Sequence, residues 1–295
     1  MDNPDTNIKE IKALISMIDD PDKDIYKQIA SKIFLYGNEI IPYLETAWES
    51  NPDPAVQKRI EELIHQIQLD SLKSELSLWK KQNQNDLLYG WIIVTKYKYP
   101  DLKEEDIRLE LNNIRKDIWL EMNDDLTALE KVKVFNHIFY NTYGFTGNTE
   151  NFHDPHNHFV NKVLETKKGN PLSLGLLYIL IAQSLDIPVK GLSFPEHFIL
   201  AYISQTFNPH DLKKEHEEAL FYINPFSKGN AFSHQEAEWF LEQLNIEPSP
   251  DLFQPCTNSE IIERMLFSLI TAYEKQQDLT KAKEVKQLFD IIIKP

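Results

Sequence analysis

Apolar residues recur every three or four positions through most of the chain, which is the spacing of one face of an α-helix. One such series runs from Ile8 to Ile18 and a second from Ile25 to Phe34. The same spacing predicts helices over residues 39–49, 54–81, 86–98, 103–123, 126–140 and 172–185, and a helical hairpin over 260–273 and 279–293. The chain is therefore predicted to be mostly helical.

The pattern changes between residues 144 and 232, the segment that contains six of the eight glycines. Short runs of β-branched and aromatic residues predict strands over 189–193, 197–203 and 220–224. The charged residues 204–219 are predicted to form a surface loop between the last two strands. The expected fold class is α+β, mostly α, with a small antiparallel sheet between helical segments.

Both ends of the chain resemble helical repeats. The turn at Asp19–Asp22 and the sequence Gly-Asn-Glu-Ile-Ile-Pro-Tyr-Leu at 37–44 resemble HEAT-type repeats, and the hairpin around residues 276–278 resembles a tetratricopeptide-type unit. We expect HEAT-like repeats over 1–68, a core with preceding helices over 69–247, and a tetratricopeptide-like hairpin over 248–295. Stacked helices present extended surfaces to proteins and peptides.

Charge and composition narrow the function classes. Hydrophobic residues make up 42% and charged residues 26% of 295 residues, which is ordinary globular usage. The 46 acidic residues outnumber the 31 lysines and arginines and give a net charge of -15. A nucleic-acid or anionic membrane surface needs cations, so neither is an expected partner.

The longest strictly apolar run, Leu176–Ala182, is far shorter than the roughly 20 residues of a membrane-spanning helix. The acidic, polar N-terminus has no apolar signal segment, so we expect a cytoplasmic protein. The single cysteine, Cys256, agrees with a reducing compartment and excludes an intrachain disulfide.

Several motifs between residues 120 and 240 resemble one known core. They are Tyr-Gly-Phe-Thr-Gly-Asn at 143–148, Asp-Pro-His-Asn at 154–157, Lys-Gly-Asn-Pro-Leu-Ser-Leu at 168–174, Asp-Ile-Pro at 186–188, Phe-Pro-Glu-His-Phe at 194–198 and Ile-Asn-Pro-Phe at 223–226. In this order they resemble the SirB-type branch of the transglutaminase-like family.

Papain-like and transglutaminase-like enzymes place a cysteine in the first turn of a helix, where the exposed N–H groups stabilise a thiolate. A histidine on a neighbouring strand takes the proton, and an Asp or Asn on the next strand orients the imidazole. The resemblance implies that His197 is the base and Asn224 the orienting residue. It places Pro171, which has no nucleophilic atom, at the nucleophile position.

The pocket implied by the resemblance contains Asn170, Pro171, Ser173 and Glu196 around His197. Ser173 lies about 200° around the helix from Pro171, so it is more often an early-turn serine bonded to backbone than a nucleophile. Cys256 reaches His197 only if its linker folds across the site, and a lone cysteine is usually a small buried hydrophobe. His197 itself could be a strand histidine bonded to a backbone carbonyl.

His153, His156 and His158 form the pattern His-x-x-His-x-His. A zinc site usually needs a further ligand and supporting hydrogen bonds, so we interpret these residues as loop histidines and expect neither a metal nor a cofactor.

The leading hypothesis is a non-catalytic protein- or peptide-binding scaffold on a degenerate transglutaminase-like core. The alternative is an amide-bond hydrolase or transamidase in which His197 is the base. Its nucleophile would be Cys256, Ser173 or an activated water. A metal-dependent hydrolase that uses the histidines of residues 153–158 is a third hypothesis.

Overall fold

The chain folds into two units, Met1–Leu78 and Trp79–Pro295. The structure is a computed structural model that describes residues 4–195, 197–206 and 216–294. The division into three parts over 1–68, 69–247 and 248–295 stays a prediction.

The first unit is built from amphipathic helices. They are α1 Pro4–Ile15, α2 Lys23–Phe34, α3 Ile41–Ser50 and α4 Pro54–Leu78. Their apolar faces meet in one core, which includes Ile18, Ile33, Leu44 and Ile60, each almost completely buried. Arg59 stabilises the turn that follows α1, because its Nη1 donates to the carbonyls of Ile18 at 2.7 Å and Asp20 at 2.8 Å.

The second unit contains the remaining helices and the strands. The helices are α5 Leu87–Lys96, α6 Glu104–Glu121, α7 Ala128–Asn136, α8 Val160–Thr166, α9 Pro171–Gln183, α10 His234–Gln243, α11 Asn258–Lys275 and α12 Leu279–Ile293. The strands are β1 Thr146–Gly147, β2 Lys168–Gly169, β3 Val189–Phe194, β4 His197–Thr206, β5 His216–Asn224 and β6 Asn230–Phe232. Strands β3 to β6 form an antiparallel sheet in sequence order, and β1 pairs with β2 in parallel. This architecture confirms the predicted mostly helical α+β class.

The sheet extends further than the sequence pattern predicts. Strands β4 and β5 continue into the segment predicted as a charged loop, where Ser204 pairs with Glu218 and Thr206 with His216. Polar residues can pair in this way because the ladder is made by backbone groups, which do not depend on the side chains. Helices α8 and α10 and strand β6 also lie in segments for which no element was predicted.

Helix α9 is the centre of the second unit. It begins at Pro171, and the Asn170 side chain accepts from the Ser173 amide while the Ser173 hydroxyl accepts from the Asn170 amide. Proline fits the first helical position because its missing N–H would have no helical partner there. Ten of the thirteen residues of the helix are buried, so α9 packs on several sides at once.

One face of the sheet packs on α9, and the ring of Phe198 lies at the centre of the closest approach. A Cβ added to Gly175 of α9 would lie 2.6 Å from Phe198 of β4, and one added to Gly191 of β3 would lie 2.4 Å from the same ring. Both glycines therefore leave the space that Phe198 occupies. The opposite sheet face, which includes Ile199 and Ala201, packs on α10 residues Ala237 and Leu241.

A buried histidine joins three segments beside the start of α9. His158 ends a short 3-10 turn over Pro155–His158, and its Nδ1 lies 3.2 Å from the carbonyl oxygen of Pro155. Because a carbonyl only accepts, Nδ1 carries the proton, and Nε2 accepts from the Asn170 amide at 3.1 Å and from the Ser268 hydroxyl of α11 at 2.8 Å. Burial lowers the pKa of His158 to about 4, so the imidazole is neutral at neutral pH.

Replacing Gly175 by alanine is expected to destabilise the protein by about 1–3 kcal/mol, because the new methyl group collides with the Phe198 ring. Alanine otherwise favours a helix by about 1 kcal/mol, so the sign of the change is diagnostic. Urea unfolding measures it. In a Phe198→Leu background the same substitution should be less destabilising, and an equal penalty in both backgrounds would contradict the collision.

His158 is expected to make stability depend on pH. The unfolded chain takes up a proton near pH 6.5 and the folded protein only near pH 4. Stability is therefore fully present above about pH 6.5 and decreases by about 3 kcal/mol as the pH falls toward 4. Urea unfolding between pH 4 and 7.5 should show a shallower dependence for His158→Gln than for wild type. The exposed His156→Gln is the matched control, and a wild-type slope in His158→Gln would refute the assignment.

Candidate functional site

A cleft of about 1260 Å³ opens beside the first turn of α9 in the second unit. Its walls come from the start of α9, the turn between β3 and β4, the segment 251–256, and α11. We call it the α9 cleft. Its lining residues include Asn170, Pro171, His197, Cys256, Arg264, Ser268, Thr271 and Lys275.

The start of α9 contributes backbone and a proline to the cleft, and no thiol. Pro171 is half-buried, whereas Asn170 and Ser173 are buried. The Ser173 hydroxyl lies 3.0 Å from the amide nitrogen and 3.3 Å from the carbonyl oxygen of Asn170. These contacts are those of an early-turn serine bonded to backbone.

His197 is the first residue of β4 and shares its sheet face with Ile199 and Ala201. Its ring packs edge-on against Phe240 of α10, with the ring centroids 4.8 Å apart. This contact lies on the sheet face opposite α9. His197 thus lies at the start of a strand, and its imidazole points toward α10.

Asn224 lies at the end of β5, on the strand next to β4. Its Oδ1 accepts from the amides of Phe226 at 3.0 Å and Ser227 at 3.2 Å, so its side chain stabilises the turn that follows the strand. The catalytic assignment of His197 and Asn224 stays a prediction. Glu196, the remaining predicted pocket residue, lies outside the described residues.

Cys256 lines the cleft, because the segment that precedes α11 folds back against β3. Its amide donates to the carbonyl of Gly191 in β3 at 2.8 Å, next to the bridge between Leu192 and Pro255. Burial, with the nearby Glu260 carboxylate, raises the pKa of the Cys256 thiol to about 11. The sulfur therefore stays protonated at neutral pH and is a weak nucleophile.

Two polar residues of α11, Ser268 and Arg264, also line the cleft, and neither was predicted as a site residue from the sequence. Ser268 bonds to His158, as described above. Arg264 donates through Nη2 to the carbonyls of Phe194 at 2.9 Å and His197 at 2.7 Å, and through Nη1 to the Ser193 hydroxyl. Their sequence spacing could have indicated a site, because Arg264, Ser268, Thr271 and Lys275 share one helix face. The same spacing is equally typical of a helix face exposed to solvent.

The three histidines of residues 153–158 have separate partners. His153 bonds to Lys275 at 2.7 Å, His156 to Asp154 at 2.8 Å, and His158 is buried in its own network. Among the residues that the structure describes, no group of three or more His, Cys, Asp or Glu side chains is arranged to hold a metal ion. Within the same ranges, no helix has both the length and the apolar character that crossing a bilayer requires.

Comparison with known proteins identifies the core. Residues 105–267 match the family model described as transglutaminase-like superfamily. A UPF0162 protein of Vibrio cholerae is 27% identical over 199 residues, which are 67% of this chain and 70% of that protein. Protein SirB1 of Salmonella typhimurium is 24% identical over 209 residues, 70% of this chain and 73% of that protein.

A shorter match covers the human F-box only protein 21, which is 26% identical over 145 residues, 48% of this chain and 21% of that protein. No solved structure matches the chain. The family model covers more than half of the chain, and the SirB1 and UPF0162 relatives extend over about two thirds of it. The chain therefore belongs to the transglutaminase-like superfamily, in its SirB-type branch.

Proposed function

We propose that this protein is a non-catalytic, peptide-binding member of the transglutaminase-like superfamily, and that the α9 cleft is its binding site. The observation that carries the proposal is Pro171 at the first position of α9. Thiol-based acyl transfer needs a thiolate at the N-terminus of this helix, and proline supplies neither a sulfur nor an N–H.

Other nucleophiles in the cleft are poor substitutes for that thiolate. The Cys256 thiol has a raised pKa, and the Ser173 hydroxyl is buried against the Asn170 backbone. The imidazole expected to act as the base, His197, is in contact with Phe240. A reaction that needs a deprotonated nucleophile beside a basic imidazole is therefore disfavoured at these residues.

The cleft has features that suit an extended peptide. Its volume of about 1260 Å³ exceeds that of a typical small-molecule pocket, about 300–1,000 Å³. Aromatic side chains line it, including Phe152 and Phe267, alongside hydroxyl groups and charged groups from α11. Apolar walls with a few polar groups bind peptide side chains and fix their direction.

A hydrogen bond between Ser268 and His158 favours a second candidate function, a serine-dependent amide-bond hydrolase. Its nucleophile and base would be these two residues and not the predicted Ser173 and His197. The hydroxyl of Ser268 donates to Nε2 of His158, whose other nitrogen donates to the Pro155 carbonyl. This arrangement has the order of a nucleophile, a base and an orienting acceptor. The lowered pKa of His158, about 4, makes the imidazole a weak base, which ranks this function second.

The wild-type protein is expected to have no amidase or transamidase turnover. A screen of glutamine-containing peptides with amine acceptors, read by mass spectrometry, tests this with an active transglutaminase as the positive control. The Cys256→Ser, His197→Ala and Ser268→Ala variants are run in parallel. Turnover lost in Cys256→Ser or His197→Ala would refute the binding-module proposal, and turnover lost only in Ser268→Ala would establish the second candidate. Turnover that is insensitive to all three would indicate contamination.

Filling the cleft should weaken peptide binding. Thr271 of α11 lines the cleft, so Thr271→Trp is expected to weaken binding at least about tenfold by occupying the space of the ligand. The probe is the strongest binder from an array of mixed-sequence decapeptides, measured by fluorescence anisotropy. Glu274→Trp, on an exposed position of the same helix, is the matched control. Equal affinities for the two variants would place the binding site elsewhere.

A further inference from the structure

Arg264 is a half-buried cation whose described partners are all neutral. The guanidinium donates to the carbonyls of Phe194 and His197 and to the hydroxyl of Ser193. These bonds use three of the five N–H donors of an arginine. Burial lowers the pKa of Arg264, although the group remains a cation at neutral pH.

The hydrogen bonds and ion pairs of the described residues join no carboxylate to Arg264. The Glu260 carboxylate, one turn before it on α11, accepts instead from the backbone and hydroxyl of Thr257. A charge that is partly removed from water is normally paired with an opposite charge, so a cation whose partners among the described residues are all neutral is an unusual arrangement. It is more unusual still in a chain with a net charge of -15.

The face of α11 that carries Arg264 runs along the α9 cleft. Ser268, Thr271 and Lys275 follow at four, seven and eleven residues, and all of them line the cleft. Eleven residues return to nearly the same side of a helix and span about 16 Å, which is the length of about five residues of extended chain. At the far end Nζ of Lys275 lies 2.7 Å from Nε2 of His153.

Acidic and apolar groups limit what the cleft can accept. Asp251, Glu260 and Glu263 line it and would repel a ligand with many negative charges. Three phenylalanines with accessible rings also line it, namely Phe152, Phe267 and Phe289. The walls thus suit an apolar ligand that carries one negative charge.

We propose that the α9 cleft binds an extended, mainly apolar peptide through one peptide carboxylate, which pairs with the guanidinium of Arg264. The proposal rests on the peptide-binding function proposed above. Arginine suits this role because its guanidinium stays charged and presents several donors to a carboxylate. The carboxylate is either the free C-terminus of the peptide or an Asp or Glu side chain.

The experiment uses the full chain and a matched set of fluorescent peptides. Each apolar pentapeptide carries a single Glu at one position, its counterpart carries Gln there, and both are made with a free and with an amidated C-terminus. Wild type should bind a carboxylate-bearing peptide about tenfold or more tightly than its uncharged counterpart. Preference for the free C-terminus identifies the terminal carboxylate, and preference for Glu identifies the side chain. The preference should shrink between roughly 0.05 and 0.5 M NaCl.

Arg264→Gln is expected to remove this preference, and Arg264→Lys to retain part of it. Arg115→Gln is the matched control, because Arg115 is an arginine of α6 whose side chain, within the described part of the chain, bonds to Asn112 alone. Since Arg264 also holds the turn between β3 and β4, thermal unfolding and circular dichroism establish that each variant is folded. If Arg264→Gln fails to fold, the test is the preference for carboxylate-bearing peptides in Arg264→Lys and in Arg115→Gln, together with the salt dependence in wild type. The proposal expects a smaller preference in Arg264→Lys than in Arg115→Gln.

The outcomes separate this inference from the function on which it rests. Equal binding of Glu and Gln peptides with free or amidated ends would overturn the carboxylate site and leave peptide binding intact. If Arg264→Gln keeps the preference, the peptide carboxylate binds to another group of the protein, and the assignment to Arg264 is wrong. Absence of binding by every peptide here and in the decapeptide array would refute both proposals.

Discussion

The buried imidazole of His158 has to be hydrogen-bonded, because an unsatisfied polar group inside a protein is costly. Its partners come from the turn at Pro155, from Asn170 before α9, and from Ser268 of α11. Helix α5 holds the same turn, since the Trp91 indole donates to the His158 carbonyl at 2.7 Å. One side chain therefore fixes the distance between the start of α9 and the C-terminal hairpin, which form two walls of the cleft.

The position of the sheet follows from a steric constraint on the other side of α9. Phe198 occupies the space that Gly175 and Gly191 leave free, and this contact sets which face of β4 rests on the helix. Because side chains alternate along a strand, His197 lies on the opposite face, toward Phe240. Arg264 then bonds to the backbone at both ends of the turn between β3 and β4. The cleft is thus bordered by elements that are tied to one another.

This arrangement has the frame of a transglutaminase-like core, with its own set of polar groups in the cleft. Helix α9 begins with a proline, and Cys256 is a protonated thiol on another segment. The neutral His158 and the cation of Arg264 are the distinctive groups of the cleft. Both groups form hydrogen bonds to segments that are distant in the sequence.

Much of this protein was determined by sequence alone. Helical periodicity, the Gly-Asn-Pro start of α9 and the β-branched runs predicted most elements of the α+β fold, and the ordered motifs between 143 and 226 predicted the family. Local patterns act through backbone propensity and capping, which need no distant partner. The orientation of His197, the burial of His158 and the approach of Arg264 to β3 depend on segments far apart in the chain. Only tertiary packing decided them, because periodicity defines which residues share a face and not which residues that face will meet.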